Sequence, residues 1–393
     1  MSEKRAAEAV GQVREQHVEL IELFYDLIYV YAISRMTLLI EEPEHGVIAP
    51  SAFYSYIVVA CVIIQSWLYL TNYVNRYGTW TWWEYLFTSI DMLATLYLVN
   101  TLSVASDWDG VAGTYNLAMV VSLACVWAMY FLRTRVGCRD ARAARNSCII
   151  LAIVIALYAV TYVGAINHVH WMIVGFGAFT TVVGMFLPFF IRGDFDASII
   201  SFPHLAERFE LLTIITFGES VVGMTRFFDV HQLSLLPILI FAVMLLMFGC
   251  YVIQMHVLCN HHRVDRALRL MFTHYFIVIA INLVTVGFEL LNNSESNRMF
   301  VALLTICALA VFYISIYANS GYYFNDLAFT LNDGIISAVS LVIGGVLMVL
   351  LRDSNIGMMC GLLVPVICNF VMLLRKGLHW QHEHAEHSAE IAH

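Results

Sequence analysis

Residues 17–35 read "HVELIELFYDLIYVYAISR", which sets Glu19, Glu22, Asp26 and Arg35 into a long apolar run. Carboxylates are expensive in hydrocarbon, so those found there carry a proton, bind a cation or pair with a fixed positive charge. Glu19, Glu22 and Asp26 are spaced i, i+3, i+7 and share one helix face. A second run, "HLAERFELLTIITFGESVVG" (204–223), places Glu207, Arg208 and Glu210 near its start and Glu219 and Ser220 further along. Asp91 falls in the middle of another apolar run, and His274 and Asn282 lie in a further one. The chemistry these residues could do is exchange of a proton or cation at Asp26, Asp91 and Glu219, with Arg208 or His274 modulating it. Gly218, beside Glu219, permits local unwinding that frees carbonyls for an ion. A plainer role is open to Glu19, Glu22, Glu207 and Glu210. They lie in the first turns of their helices, where the macrodipole favours anions. Asp26, Asp91 and Glu219 lie too deep for that.

The elements that position these residues follow from composition. The chain has 393 residues, 61% of them hydrophobic and 12% charged, against about 25% charged in a soluble protein. Apolar runs of about 20 residues recur, the length of a membrane-crossing helix. The predicted fold is an all-α polytopic helix bundle. It has twelve spans, near 18–40, 51–74, 82–105, 112–134, 146–167, 170–191, 204–226, 234–259, 267–291, 299–323, 331–351 and 356–375. A segment 1–17 precedes the bundle (18–375), and a His-rich tail (376–393) follows it. Residues 1–16 lack a cleavage-site pattern, so no removable leader is expected. With an inner N-terminus, the inner segments hold about fifteen Lys and Arg, and the outer ones only Arg226, Arg298 and Arg352. That bias puts both termini in the cytoplasm and the protein in the cell membrane. "TWTWWEY" (79–85) then falls at the inner interface, as an aromatic belt. "VELIEL" (18–23) resembles "AERFEL" (206–211). Two readings stay open for that likeness: chance, or two six-helix repeats over 18–191 and 204–375 with a site between them. The nine cysteines show no metal spacing and read as buried thiols.

Three segments are similar to the low temperature requirement protein A family of bacterial membrane proteins: "ELFYDLIYVYAI" (22–33), "HLAERFELLTIITFGES" (204–220) and "THYFIVIAINLVTVGFE" (273–289). The resemblance implies a multipass membrane protein. It maps the family's pattern onto Glu22, Asp26, His204, Glu207, Arg208, Gly218, Glu219, Ser220, His274 and Glu289. The chain departs from that pattern with tyrosine at 25, 29 and 31, where the family usually has phenylalanine. It also has Glu210 in place of glycine and Glu19 in place of a small polar residue. The resemblance implies no particular reaction.

The chain has no HExxH, phosphate loop, nucleophile elbow or CxxC pair. No cofactor is expected, no spacing specifies a metal, and nothing indicates nucleic acid. The partners implied are bilayer lipid and a small solute or ion; oligomeric state is left open. Three function classes follow. A proton- or cation-coupled secondary transporter would use mid-membrane carboxylates. An enzyme acting on a lipid-borne substrate would cluster Glu22, Glu207, Arg208 and His274 at one face. A receptor or assembly factor would use the charges as structural pairs. Transport is the leading expectation, with the candidate residues Glu22, Asp26, Asp91, Glu207, Arg208, Glu219, Ser220 and His274.

Overall fold

A computed structural model describes residues 16–102, 108–190, 199–229, 231, 233–263 and 265–391, with 108, 109, 189 and 381–391 described by backbone alone. Lys4, Arg5, Arg14, Arg192 and the tail side chains beyond Trp380 lie outside the described residues. So does most of the 1–17 segment.

The described residues form twelve α-helices and no strand. They are α1 (Leu20–Thr37), α2 (Pro50–Tyr77), α3 (Trp82–Leu102), α4 (Trp108–Val136), α5 (Ala141–Ile166) and α6 (Gly177–Phe190), then α7 (Phe202–Met224), α8 (Leu235–Val252), α9 (Leu268–Asn292), α10 (Arg298–Ala318), α11 (Leu331–Leu350) and α12 (Asn355–Ile391). Each overlaps one predicted span. π-Helical turns precede α6 (Met172–Phe176) and extend α8 (Ile253–Leu258). Nine of the helices are long and apolar enough to cross a membrane by composition alone. The remaining three are α6, which is short, and α1 and α7, whose charges lower their hydropathy.

Helix starts are specified locally. Asp140 adopts a left-handed φ of 53° and accepts from the Ala143 N–H at 3.0 Å, capping α5. Asn297 caps α10 through the N–H groups of Met299 and Phe300. Thr330 and Asp333 form a reciprocal capping box on α11. Such caps satisfy donors that the first helical turn leaves orphaned.

The polarity of the helices is inverted relative to a soluble protein. On α1, Leu20, Phe24 and Leu27 are 81%, 55% and 57% exposed, while Glu22 and Asp26 are 1% and 0% exposed. On α11, Ile335, Val339, Val342 and Val346 face outward, and Asp333, Ser337, Ser340 and Gly344 face inward. Water would reward the opposite arrangement. Lipid requires this one, because polar groups there must find partners inside the protein.

The chain divides into two compact units. Unit 1 comprises the described residues of Met1–Ile40, Pro50–Leu212 and His262–Ala267. In it α1 packs on α2 and α3, α3 on α4, α4 on α5, and α2 on α4 and α6. Its largest fully buried side chains include Trp67, Tyr25, Tyr29, Tyr56, Tyr73 and Arg208. Unit 2 comprises the described residues of Glu41–Ala49, Thr213–His261 and Leu268–His393. Within it α9 pairs with α10, α11 with α12, and α12 with α8. Helix α9 buries most of its side chains, Thr273, His274 and Asn282 among them. The α11–α12 crossing is close because two glycines meet there. A Cβ on Gly344 would lie 2.8 Å from the Gly361 carbonyl, and one on Gly361 would lie 2.8 Å from the Met348 nitrogen. Pro365, with no N–H, leaves that Gly361 carbonyl without its helical donor. Small residues let the backbones approach, as is common between helices in lipid.

Candidate functional site

The charges of α1 and of the first half of α7 meet inside unit 1. Glu22 and Asp26 are four residues apart on α1, and His204 and Arg208 are four apart on α7. Each pair therefore forms one stripe. The Arg208 guanidinium, 1% exposed, bridges the two carboxylates. Its Nη1 donates to Glu22 Oε2, and its Nη2 donates to Asp26 Oδ1 at 2.6 Å. Trp67 of α2 completes the cage. Its Nε1 donates to Asp26 Oδ1 at 2.7 Å, and its ring lies 5.4 Å from the guanidinium carbon. Phe209 packs on that ring at 5.2 Å. These pairs join α1 to the first half of α7.

His204, fully buried, sits 3.1 Å from Glu22 Oε2 through Nε2. Its orientation follows from Asn75. The Asn75 amide is oriented by Ser201, whose N–H donates to Oδ1 at 3.3 Å and whose carbonyl accepts from Nδ2 at 2.8 Å. The second Nδ2 hydrogen then points at His204 Nδ1, 3.0 Å away. Nδ1 is then an acceptor, and Nε2 carries the hydrogen that meets Glu22. The cluster sets two carboxylates against one guanidinium and one imidazole. Asp26 Oδ2 is buried with no hydrogen-bond partner.

Asp91 of α3 forms the second part of the site. It is 0% exposed. Its Oδ2 accepts from the Tyr25 hydroxyl at 3.1 Å, and the Ser122 hydroxyl of α4 also hydrogen-bonds its carboxylate. Tyr25 continues to Tyr29 at 2.9 Å, Tyr29 donates to Ser66 at 3.1 Å, and Ser66 meets Ser122 at 3.0 Å. This chain joins α1, α2, α3 and α4. It runs beside the ion cluster because Tyr25 precedes Asp26 on α1 and Ser66 precedes Trp67 on α2.

The other candidates fall elsewhere. Glu207 is exposed: one helical step past Ala206 and one before Arg208 turns it away from the cluster. Glu219 is half-buried in unit 2, where it lies near Glu289. Ser220 accepts from Thr285 at 2.7 Å, and Glu289 pairs with Arg226 at 3.4 Å. His274, also in unit 2, donates from Nδ1 to the Leu270 carbonyl at 2.7 Å and faces the Tyr251 hydroxyl through Nε2 at 2.9 Å. It is a neutral histidine satisfied within its core. Of the aromatic segment 79–85, Trp82 is 76% exposed, as an interfacial residue should be. Glu84 instead turns inward to Arg133 at 3.2 Å, Tyr73 at 2.6 Å and the Thr81 N–H at 2.7 Å. That knot ties α2, α3 and α4 at one end.

Sequence reasoning did not single out Trp67, Ser66, Ser122 or Asn75, and it treated Tyr25 and Tyr29 only as departures. The available signal was the run of polar residues on α2, Gln65, Ser66, Thr71 and Asn75, which an apolar span has no reason to carry. No group of three or more His, Cys, Asp or Glu side chains able to hold a metal occurs among the described residues.

Apolar faces turned outward and a buried ionic core define a polytopic α-helical integral membrane protein. The model of the bacterial low temperature requirement A protein (LtrA) family matches residues 17–374, and the chain belongs to that family. No curated protein matches it.

Proposed function

We propose that the protein is a proton- or cation-coupled secondary transporter of a small solute or ion. Its coupling site is Asp26 and Asp91, and Arg208 is the fixed counter-charge. One observation carries this reading. Unit 1 buries three carboxylates, Glu22, Asp26 and Asp91, each at most 1% exposed, around one guanidinium. A low-dielectric interior does not tolerate that excess of negative charge, so positive charge must come from outside. A site that has to be neutralised by an exchangeable ion is what coupled transport requires. Glu219 and Ser220 of unit 2 are assigned to the solute or to a second ion.

The experiment is flux into proteoliposomes of the purified protein, screening inorganic ions and small solutes with and without a pH or cation gradient. Uptake that follows an imposed gradient is expected. Equal uptake with and without every gradient would overturn coupling.

The location is proposed as the cell membrane with both termini cytoplasmic, supported by the Lys and Arg bias of the loops. Cysteines introduced in the 134–146 segment are expected to resist an impermeant thiol reagent applied from outside. Their labelling would reverse the orientation.

A further inference from the structure

Resting on that reading, we propose that Asp91 is the neutral acid in this conformation, its carboxyl hydrogen closing a ring of buried oxygens as the proton-loaded state of the site. Asp91 meets Tyr25, Tyr25 meets Tyr29, Tyr29 meets Ser66, Ser66 meets Ser122, and Ser122 returns to Asp91. The contacts from Asp91 round to Ser122 measure 2.9–3.1 Å, which are hydrogen-bond distances. Every member is at most 5% exposed.

The supply of hydrogens decides the charge. The ring has five contacts, and its four hydroxyls supply one hydrogen each. An ionised carboxylate only accepts, so it would take the hydrogens of Tyr25 and Ser122. Tyr29 donates to Ser66, which leaves Ser66 to donate to Ser122. The Tyr25–Tyr29 contact at 2.9 Å then holds no hydrogen, and two oxygens face each other through lone pairs. Thr95 also contacts Tyr29, but it adds its own hydrogen with its contact, so the deficit stays. A fifth hydrogen, on Asp91, removes it. Asp91 then donates to Tyr25, Tyr25 to Tyr29, Tyr29 to Ser66, Ser66 to Ser122, and Ser122 back to the Asp91 carboxyl. Each group gives one hydrogen and takes one, and the direction from Tyr29 to Ser66 is kept.

The surroundings suit a neutral group. The titratable groups facing Asp91 are Tyr25 and Tyr29 from α1 and Cys125 from α4, while α2 presents Ser66 to the ring. None of these supplies a positive charge, and the Arg208 guanidinium is engaged by Glu22 and Asp26. Loss of the proton strands the Tyr25–Tyr29 contact, so one of these side chains must turn. Both stand on α1, and Tyr25 adjoins Asp26. The charge of Asp91 is thereby tied to the helix that carries the ion cluster.

The test is infrared spectroscopy of the full-length protein in lipid nanodiscs at neutral pH, read as the protonated-carboxyl band that Asp91→Asn removes. The parent should show that band. Tyr29→Phe deletes two contacts and one hydrogen. Three contacts and three hydroxyl hydrogens remain in the ring, so the carboxyl hydrogen is no longer needed. The band should fall by about half or more. Ser66→Ala leaves the same balance, should act alike, and serves if Tyr29→Phe does not fold. Burial alone predicts the opposite sign, because an apolar group in place of a hydroxyl disfavours the ionised form further. Tyr31→Phe is the control and should keep the band, since that hydroxyl bonds Asn100 on an exposed face. A parent without the band has an ionised Asp91 and would overturn the proposal. A band that holds or grows in both Tyr29→Phe and Ser66→Ala would overturn the ring. Gradient-driven flux in proteoliposomes beside either result leaves the transport reading standing. The expected band changes in a protein without gradient-driven flux would remove that reading and leave the ring.

Discussion

Arg208→Met should destabilise the protein by about 3–5 kcal/mol, the effect of leaving buried charge without its partner. Arg208 is 1% exposed and holds both Glu22 and Asp26. Methionine fills similar space but leaves two carboxylates facing each other with no cation. The loss should be visible as a fall of several degrees in the thermal midpoint of the protein in detergent. Two companions sharpen the expectation. Glu22→Gln, Asp26→Asn and Arg208→Met together remove all three charges, and most of the stability should return. Asp26→Asn alone should be close to neutral. The asparagine Oδ1 still accepts from Trp67 and Arg208, and the excess negative charge is gone. If these were ordinary additive salt bridges, Asp26→Asn would be damaging too. Full stability in Arg208→Met would mean that the cluster is not dry.

Asp91→Asn separates stability from function. The carboxamide keeps the shape and still accepts from Tyr25, so the fold should be retained. Removing a buried charge that lacks a counter-ion should leave the thermal midpoint unchanged or higher. Gradient-driven flux in proteoliposomes should fall by about two orders of magnitude, because the carboxamide neither carries nor releases a proton. Any remaining uptake should not vary with pH. Asp91→Asn with parent-level, gradient-dependent flux would remove Asp91 from the coupling site. A variant that fails to reach the membrane would instead mark Asp91 as structural.

The amino-acid sequence by itself determined the solvent and the architecture. Apolar runs of membrane-spanning length recur along the chain, and each predicted span overlaps one helix. It also singled out Glu22, Asp26, Asp91 and Arg208, because charge inside an apolar run is conspicuous whatever surrounds it. Pairing was beyond its reach. Arg208 lies 182 positions from Asp26 and joins it only when α7 packs against α1. Glu207 and Arg208 are both ionisable and adjacent in the chain, yet helical rotation exposes the first and buries the second. His274 and His204 look alike as intramembrane histidines. The first is satisfied by its own helix and Tyr251, the second reads the charge of Glu22. Trp67, Tyr25, Tyr29, Ser66 and Ser122 are ordinary residues for a membrane helix, and nothing in their spacing announces a chain. Only the tertiary structure decides that their polar tips converge, because a side chain's partner depends on which helix faces it, and lipid penalises every polar group left without one.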